Sequence, residues 1–200
     1  MKQMVAEVKA FGLPVQIHCN GDYTIDIALD AIEAAYAGST DLGVNRIEHA
    51  TMARPDQILR MKKLAVQPSF LMNHVRLYGA AYRDQIFGPE RAGFMDPAGA
   101  CVQAGLPFTL HTDAPCSPSG PLALISTAVT RRCIIDKSVV GPDQAVSLDD
   151  AVRALMALRA ELLERGQSGD GRRISGQPRA VDHLQLGAVH GGTERTVGSG

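Results

Sequence analysis

Four short runs of β-forming residues, each closed by turn residues and followed by a helical pattern, constrain this chain more than any other feature. Pro14-Val15-Gln16-Ile17 leads to His18, Val44–Glu48 to His49, and Phe108–Thr112 to Asp113, while Leu64–Phe70 carries Pro68-Ser69 near its end. Helical patterns follow over residues 23–36, from Pro55, from Pro89 to Ala104, over 121–133 and over 147–164, and an earlier one covers 2–10. Proline at a first turn, Gly105 as a C-cap, and Ser147 with Asp150 three residues on mark helix ends. A strand–helix order repeated four times predicts a parallel sheet with right-handed crossovers. Four such units are half of an eight-stranded barrel, so the expected class is α/β, a partial TIM-type (β/α) barrel. A free half barrel would leave two sheet edges open, and the expectation is a chain that is a piece of something larger. Residues 71–88 show neither period and read as a functional loop.

In a parallel barrel the C-terminal strand ends converge on one face, where chemistry sits. His18, His49 and Asp113 fall at such ends. Two imidazoles and a carboxylate suit a divalent metal, zinc first, with a position left for water. One histidine at a strand end is more often structural; three such residues in order favour ligation. His111, two residues before Asp113, points to the same side of its strand, as a lining group or a core one. His74, in the segment after the third strand, is a candidate to polarise a substrate carbonyl, and Asp22 to support the loop under His18. Cys19 reads as a small buried hydrophobe before it reads as a ligand or nucleophile. Arg131 and Arg132 read as surface or interface contacts, and His183 and His190 receive no role.

A net charge of −1 makes no electrostatic case for nucleic acid or an anionic membrane. No apolar stretch approaches the roughly 20 residues a membrane helix needs, and no signal peptide is evident. Four cysteines at wide spacing, without a CxxC pair, fit a reduced, cytoplasmic setting. A homo-oligomer stays open.

The runs Gln16-Ile17-His18-Cys19-Asn20-Gly21-Asp22, Arg46-Ile47-Glu48-His49-Ala50, Leu64–Ser69 and His111-Thr112-Asp113-Ala114-Pro115 together resemble the amidohydrolase superfamily, and within it amidohydrolase family 3, which includes N-substituted formamide deformylases. Phe87–Ala92 and the pair Arg131-Arg132 extend the resemblance, which covers residues 1–158. It implies a metal-dependent hydrolase of non-peptide carbon–nitrogen bonds, acting on a small-molecule amide or formamide. Carried over, His18, His49 and Asp113 take the ligand roles of the fifth, sixth and eighth strands, with Asp113 also the proton carrier. The first-strand histidine pair and fourth-strand ligand have no match in these residues, so the chain reads as a fragment. On its own it is expected to bind metal weakly and to hydrolyse amides slowly or not at all; the alternative is a truncated, inactive barrel segment. Residues 159–200 read as a helix end and a disordered tail, with the abrupt loss of pattern near Leu158 pointing to a shifted reading frame.

Overall fold

In the computed structural model the chain is described for residues 1–39, 41 and 43–167, with side chains through 157. Its centre is a four-stranded, all-parallel sheet in the order β1 (Gln16–Cys19), β2 (Asn45–His49), β3 (Val66–Leu71), β4 (Thr109–His111). Sequential strands are neighbours throughout, as in half of a β/α barrel, and the registers pair His18 with Glu48, Glu48 with Ser69, and Ser69 with Thr109.

The helices cover one face of this sheet. Helix α1 (Lys2–Ala10) precedes β1. Helix α2 (Asp22–Tyr36) buries Ile25, Ala28, Leu29, Ile32 and Tyr36, a three-to-four-residue stripe. Helix α3 (Pro55–Lys63) has proline in its first turn and Arg60, Lys62 and Lys63 in its last, where cations suit the helix dipole. The Arg54 amide donates to Gln57 Oε1 at 2.9 Å, and Ile58 and Met61 face inward. Helix α7 (Pro121–Thr130) and α8 (Leu148–Gln167) pack on each other, with α8 against β4. Ser147 caps α8, accepting the Asp150 amide at 3.1 Å and donating to its carboxylate at 2.6 Å. These helices and the strand residues Ile47, Val66, Phe70 and Leu110 form one apolar core.

The structure revises four sequence expectations. The single helix expected from Pro89 to Ala104 is two, α5 (Gly88–Gly93) and α6 (Ala98–Ala104), broken at Asp96-Pro97. Proline disfavours a helical conformation before it, and Asp96 takes a left-handed φ of 42°. The segment after β3 is folded rather than looped. Two π-helical turns, His74–Tyr78 and Tyr82–Ile86, flank the short α4 (Gly79–Ala81). They share a second core of Val75, Ala92 and Met95 with Met52, Cys133 and Val140. Arg131, expected at the surface, is fully buried at the end of α7. Its guanidinium donates to the carbonyls of Val140 (3.0 Å), Asp96 (3.1 Å) and Met95 (2.6 Å), tying the Met95-Asp96 break and the Val140 stretch to the end of α7. Arg132 alone is exposed, donating to the Lys137 carbonyl. Helix α8 runs to Gln167, beyond the expected end at residue 164; the expectations for 168–200 lie outside the described residues.

Candidate metal centre

Side chains alternate faces along a strand, so the registers place Gln16, His18, Arg46, Glu48, Gln67, Ser69, Thr109 and His111 on the face away from the helix-covered core. Apart from Leu71, the register partner of His111, that face is polar and internally bonded. Arg46 pairs with Glu48 at 3.0 Å and donates to Thr109 Oγ1 at 3.2 Å. The Ser69 hydroxyl meets His111 Nδ1 at 2.8 Å, and Glu48 lies 4.0 Å from the same nitrogen.

At the C-terminal end of the sheet this face meets a cluster of imidazoles. By alternation His49 belongs with Ile47 on the core side. Its φ is 70°, however, and its ring lies against those of His18 (centroids 4.5 Å apart) and His111 (5.0 Å), both from the polar face. His49 Nδ1 and His111 Nε2 are 3.1 Å apart. Asp113, just past β4, also has a left-handed φ, 55°. Each such residue costs about 1–2 kcal/mol, and strain of this kind gathers at functional sites. Donor atoms of His49, His111 and Asp113 all lie within 4.8 Å of one another. His74, opening the segment after β3, completes the ring of histidines, its centroid 6.0 Å from that of His49.

Burial, then the neighbouring imidazoles, lowers the pKa of His49 and pushes His74 and His111 down to about 4, with Asp113 opposing the shift in each. These rings are therefore neutral at pH 7 and have the lone pairs a metal takes. Two neutral imidazoles and a carboxylate are the donor set of an open catalytic site, so the residues present fit a divalent cation.

Of the three expected ligands, His18 meets His49 through a ring contact, while the donor atoms of His49 and Asp113 gather with His111 rather than with His18. His111, foreseen as lining or core, stands inside the donor group. Asp22 stands apart; its carboxylate accepts the Tyr23 amide at 2.9 Å and pairs with Arg91 at 3.3 Å. Cys19 is buried, with its thiol pushed up to about 11 by desolvation, which suits a core residue. Sequence reasoning missed Glu48, Ser69, Asn20 and Thr51. The first two could have been found from the polar alternation of Arg46-Ile47-Glu48 and Gln67-Pro68-Ser69; the other two carry no such signal.

Comparison with known proteins agrees with this geometry. Residues 1–170 match the model of the amidohydrolase family, twelve residues beyond the expected limit of the resemblance. N-substituted formamide deformylase of Arthrobacter pascens is 29% identical over 165 residues, covering 82% of this chain and 30% of that protein. Two crystal structures of uncharacterized metal-dependent hydrolases, from Pyrococcus furiosus and Pyrococcus horikoshii OT3, superpose with TM-scores of 0.64 at 30% and 25% identity. Each alignment covers 82% of this chain and 33% of the other. The chain therefore spans about a third of the length of these relatives. With the family match across most of its length and the histidine–aspartate cluster at the strand ends, the chain belongs to the amidohydrolase family.

Proposed function

We propose that this chain carries part of the centre of a hydrolase that cleaves a non-peptide carbon–nitrogen bond in a small amide or formamide. The reading is supported by donor atoms of His49 and Asp113 within 4.8 Å of each other at the ends of parallel strands, with the His18 ring 4.5 Å from that of His49. These three are the proposed ligands of a divalent ion, zinc first. The close approach of His111 to His49 and Asp113 favours a second arrangement in which His111 replaces His18 as donor.

A bound divalent ion would supply a water of lowered pKa and polarise the scissile carbonyl. Asp113 takes the proton of the attacking water on its carboxylate and returns it to the departing nitrogen, as general acid–base catalysis requires. His74, its ring 6.0 Å from that of His49, serves as a substrate contact beside the cluster. Asp22, with its carboxylate on the α2 N-terminus and Arg91, acts indirectly by fixing the turn that follows His18.

The test is zinc titration of the purified protein together with amine release from N-substituted formamides. Weak zinc binding that His49→Ala reduces at least tenfold is expected, with amine release that is slow or absent and, where present, abolished by a chelator and by Asp113→Asn. Zinc binding unchanged in His49→Ala, or amine release indifferent to chelation, overturns the reading.

A further inference from the structure

Behind the imidazole cluster runs a chain of hydrogen bonds that decides which nitrogen of His74 carries its proton. Thr51 is buried just beyond β2, and its hydroxyl lies 3.0 Å from Asn20 Oδ1 and 2.8 Å from His74 Nδ1. A hydroxyl has one proton to give and lone pairs to receive with. Asn20 turns its amide nitrogen toward His18 Nε2, 3.5 Å away, so the group it offers Thr51 is the carbonyl oxygen, which can only accept. Whether the Thr51 proton goes to Asn20 or to the Asp96 carboxylate that also adjoins Thr51, it is not given to His74, so the bond to His74 is donated by the ring.

We propose that Thr51 is a positioning residue that fixes His74 as the Nδ1–H tautomer and leaves Nε2 as the ring's acceptor. The inference rests on the reading of His74 as a group that lines the site.

Both partners are held firmly enough to impose this. The Thr51 carbonyl accepts the amide of buried Asp96 at 2.7 Å, and its neighbours Ala50 and Met52 donate to the Cys19 and Asn20 carbonyls at 3.0 and 2.9 Å. On the other side, Asn73 donates to Ser117 Oγ at 2.6 Å, and the Arg76 carbonyl accepts the Ile134 amide at 2.8 Å. The His74 ring is flanked by Tyr82 and Tyr78, with centroids 5.8 and 6.5 Å away. A neutral His74 in this form receives a proton-bearing group of a bound molecule and donates nothing to a carbonyl oxygen. The corresponding ligand class is an amide that keeps an N–H beside its carbonyl, rather than one fully substituted at nitrogen.

The experiment is 15N NMR of the histidine side chains in the metal-free protein at pH 7.5, with His74→Gln assigning the resonance. Wild type and Thr51→Ser are expected to show His74 protonated at Nδ1. Thr51→Val is expected to lose that preference and give a mixture of tautomers. A wild-type His74 protonated at Nε2 overturns the proposal, as does a Thr51→Val protein whose tautomer ratio is unchanged. If Thr51→Val does not fold, the wild-type spectrum alone decides. None of these spectra depends on hydrolysis, so failure here is distinct from failure of the proposed activity.

Discussion

The two faces of the sheet are built on opposite terms. Toward the helices stand Ile47, Val66, Phe70 and Leu110, closed over by α2, α3, α7 and α8. On the other side stand Arg46, Glu48, Ser69, Thr109 and His111, bonded to one another. The first face is stabilised by area removed from water, about 25 cal/mol per Å², and tolerates any side chain of the right shape. The second depends on partners. Each buried polar atom left without one costs about 1–3 kcal/mol, and the Arg46 Nε and Gln67 Oε1 atoms already lack a protein partner. The candidate donors gather at the C-terminal end of the second face, where side chains hold lone pairs in a shared, partly dry space.

The largest expected effect separates the faces by pH. In the metal-free protein His74 and His111 have pKa values near 4 when folded, against 6.5 for free imidazole. Between these limits the unfolded chain binds protons that the folded one refuses. Stability is therefore full above pH 6.5 and is lost as pH falls toward 4, at about 1.4 kcal/mol per ring per pH unit. His49, also lowered, adds in the same direction. Denaturant midpoints measured from pH 7.5 to 4.5 should fall accordingly, whereas a flat profile would mean that the polar face is wet and its histidines free.

Next in size is Phe70→Ala, on the apolar face. Phe70 is fully buried, its ring 5.7 Å from that of Phe108. Truncation should cost about 3–5 kcal/mol, as large-to-small core changes do. Phe70 is the register partner of His49 on the neighbouring strand, but its side chain packs in the core, so zinc affinity of the folded fraction should fall by far less than stability does. A zinc affinity that falls with stability would show that the two faces are not independent.

Much of this contrast was legible in the sequence. Strand positions were set by β-forming runs, three of them ending at histidine or aspartate, and the nearness of His49 to both His18 and Asp113 followed from parallel topology. Three features were hidden for physical reasons. The segment after β3 has no 3.6-residue period because π turns close one residue later than α turns, so apolar positions such as Val75 drift out of the usual template. Arg131 looks like any arginine at a helix end; its partners are carbonyls 9, 35 and 36 residues away, which no helical pattern reveals. Strict alternation assigns His49 to the core face, and only its left-handed φ accompanies the ring's placement among the other imidazoles.

The smallest effect is expected next door to Phe70, and it sharpens the contrast most. Ser69→Ala removes one oxygen from the polar face and leaves the shape nearly unchanged. Ser69 is as buried as Phe70, so area arguments predict almost no loss and a slight gain from a less polar side chain. The partner argument predicts otherwise. His111 Nδ1 loses the hydroxyl at 2.8 Å that fixes its ring, and the face that ring turns to His49 is no longer held. One buried hydrogen bond of this kind contributes about 1 kcal/mol, so a loss of that size should appear in denaturant unfolding. Zinc titration should show a second consequence absent from Phe70→Ala: an affinity lower by roughly 10-fold, the low end of what removing a group that orients a metal ligand costs. If Ser69→Ala lost stability but bound zinc as tightly as wild type, His111 would be a structural member of the polar face, and the ion would belong to His18, His49 and Asp113. If affinity fell, His111 would belong among the donors. Neighbouring residues on one strand, Ser69 and Phe70, would then report separately on the ligands and on the core.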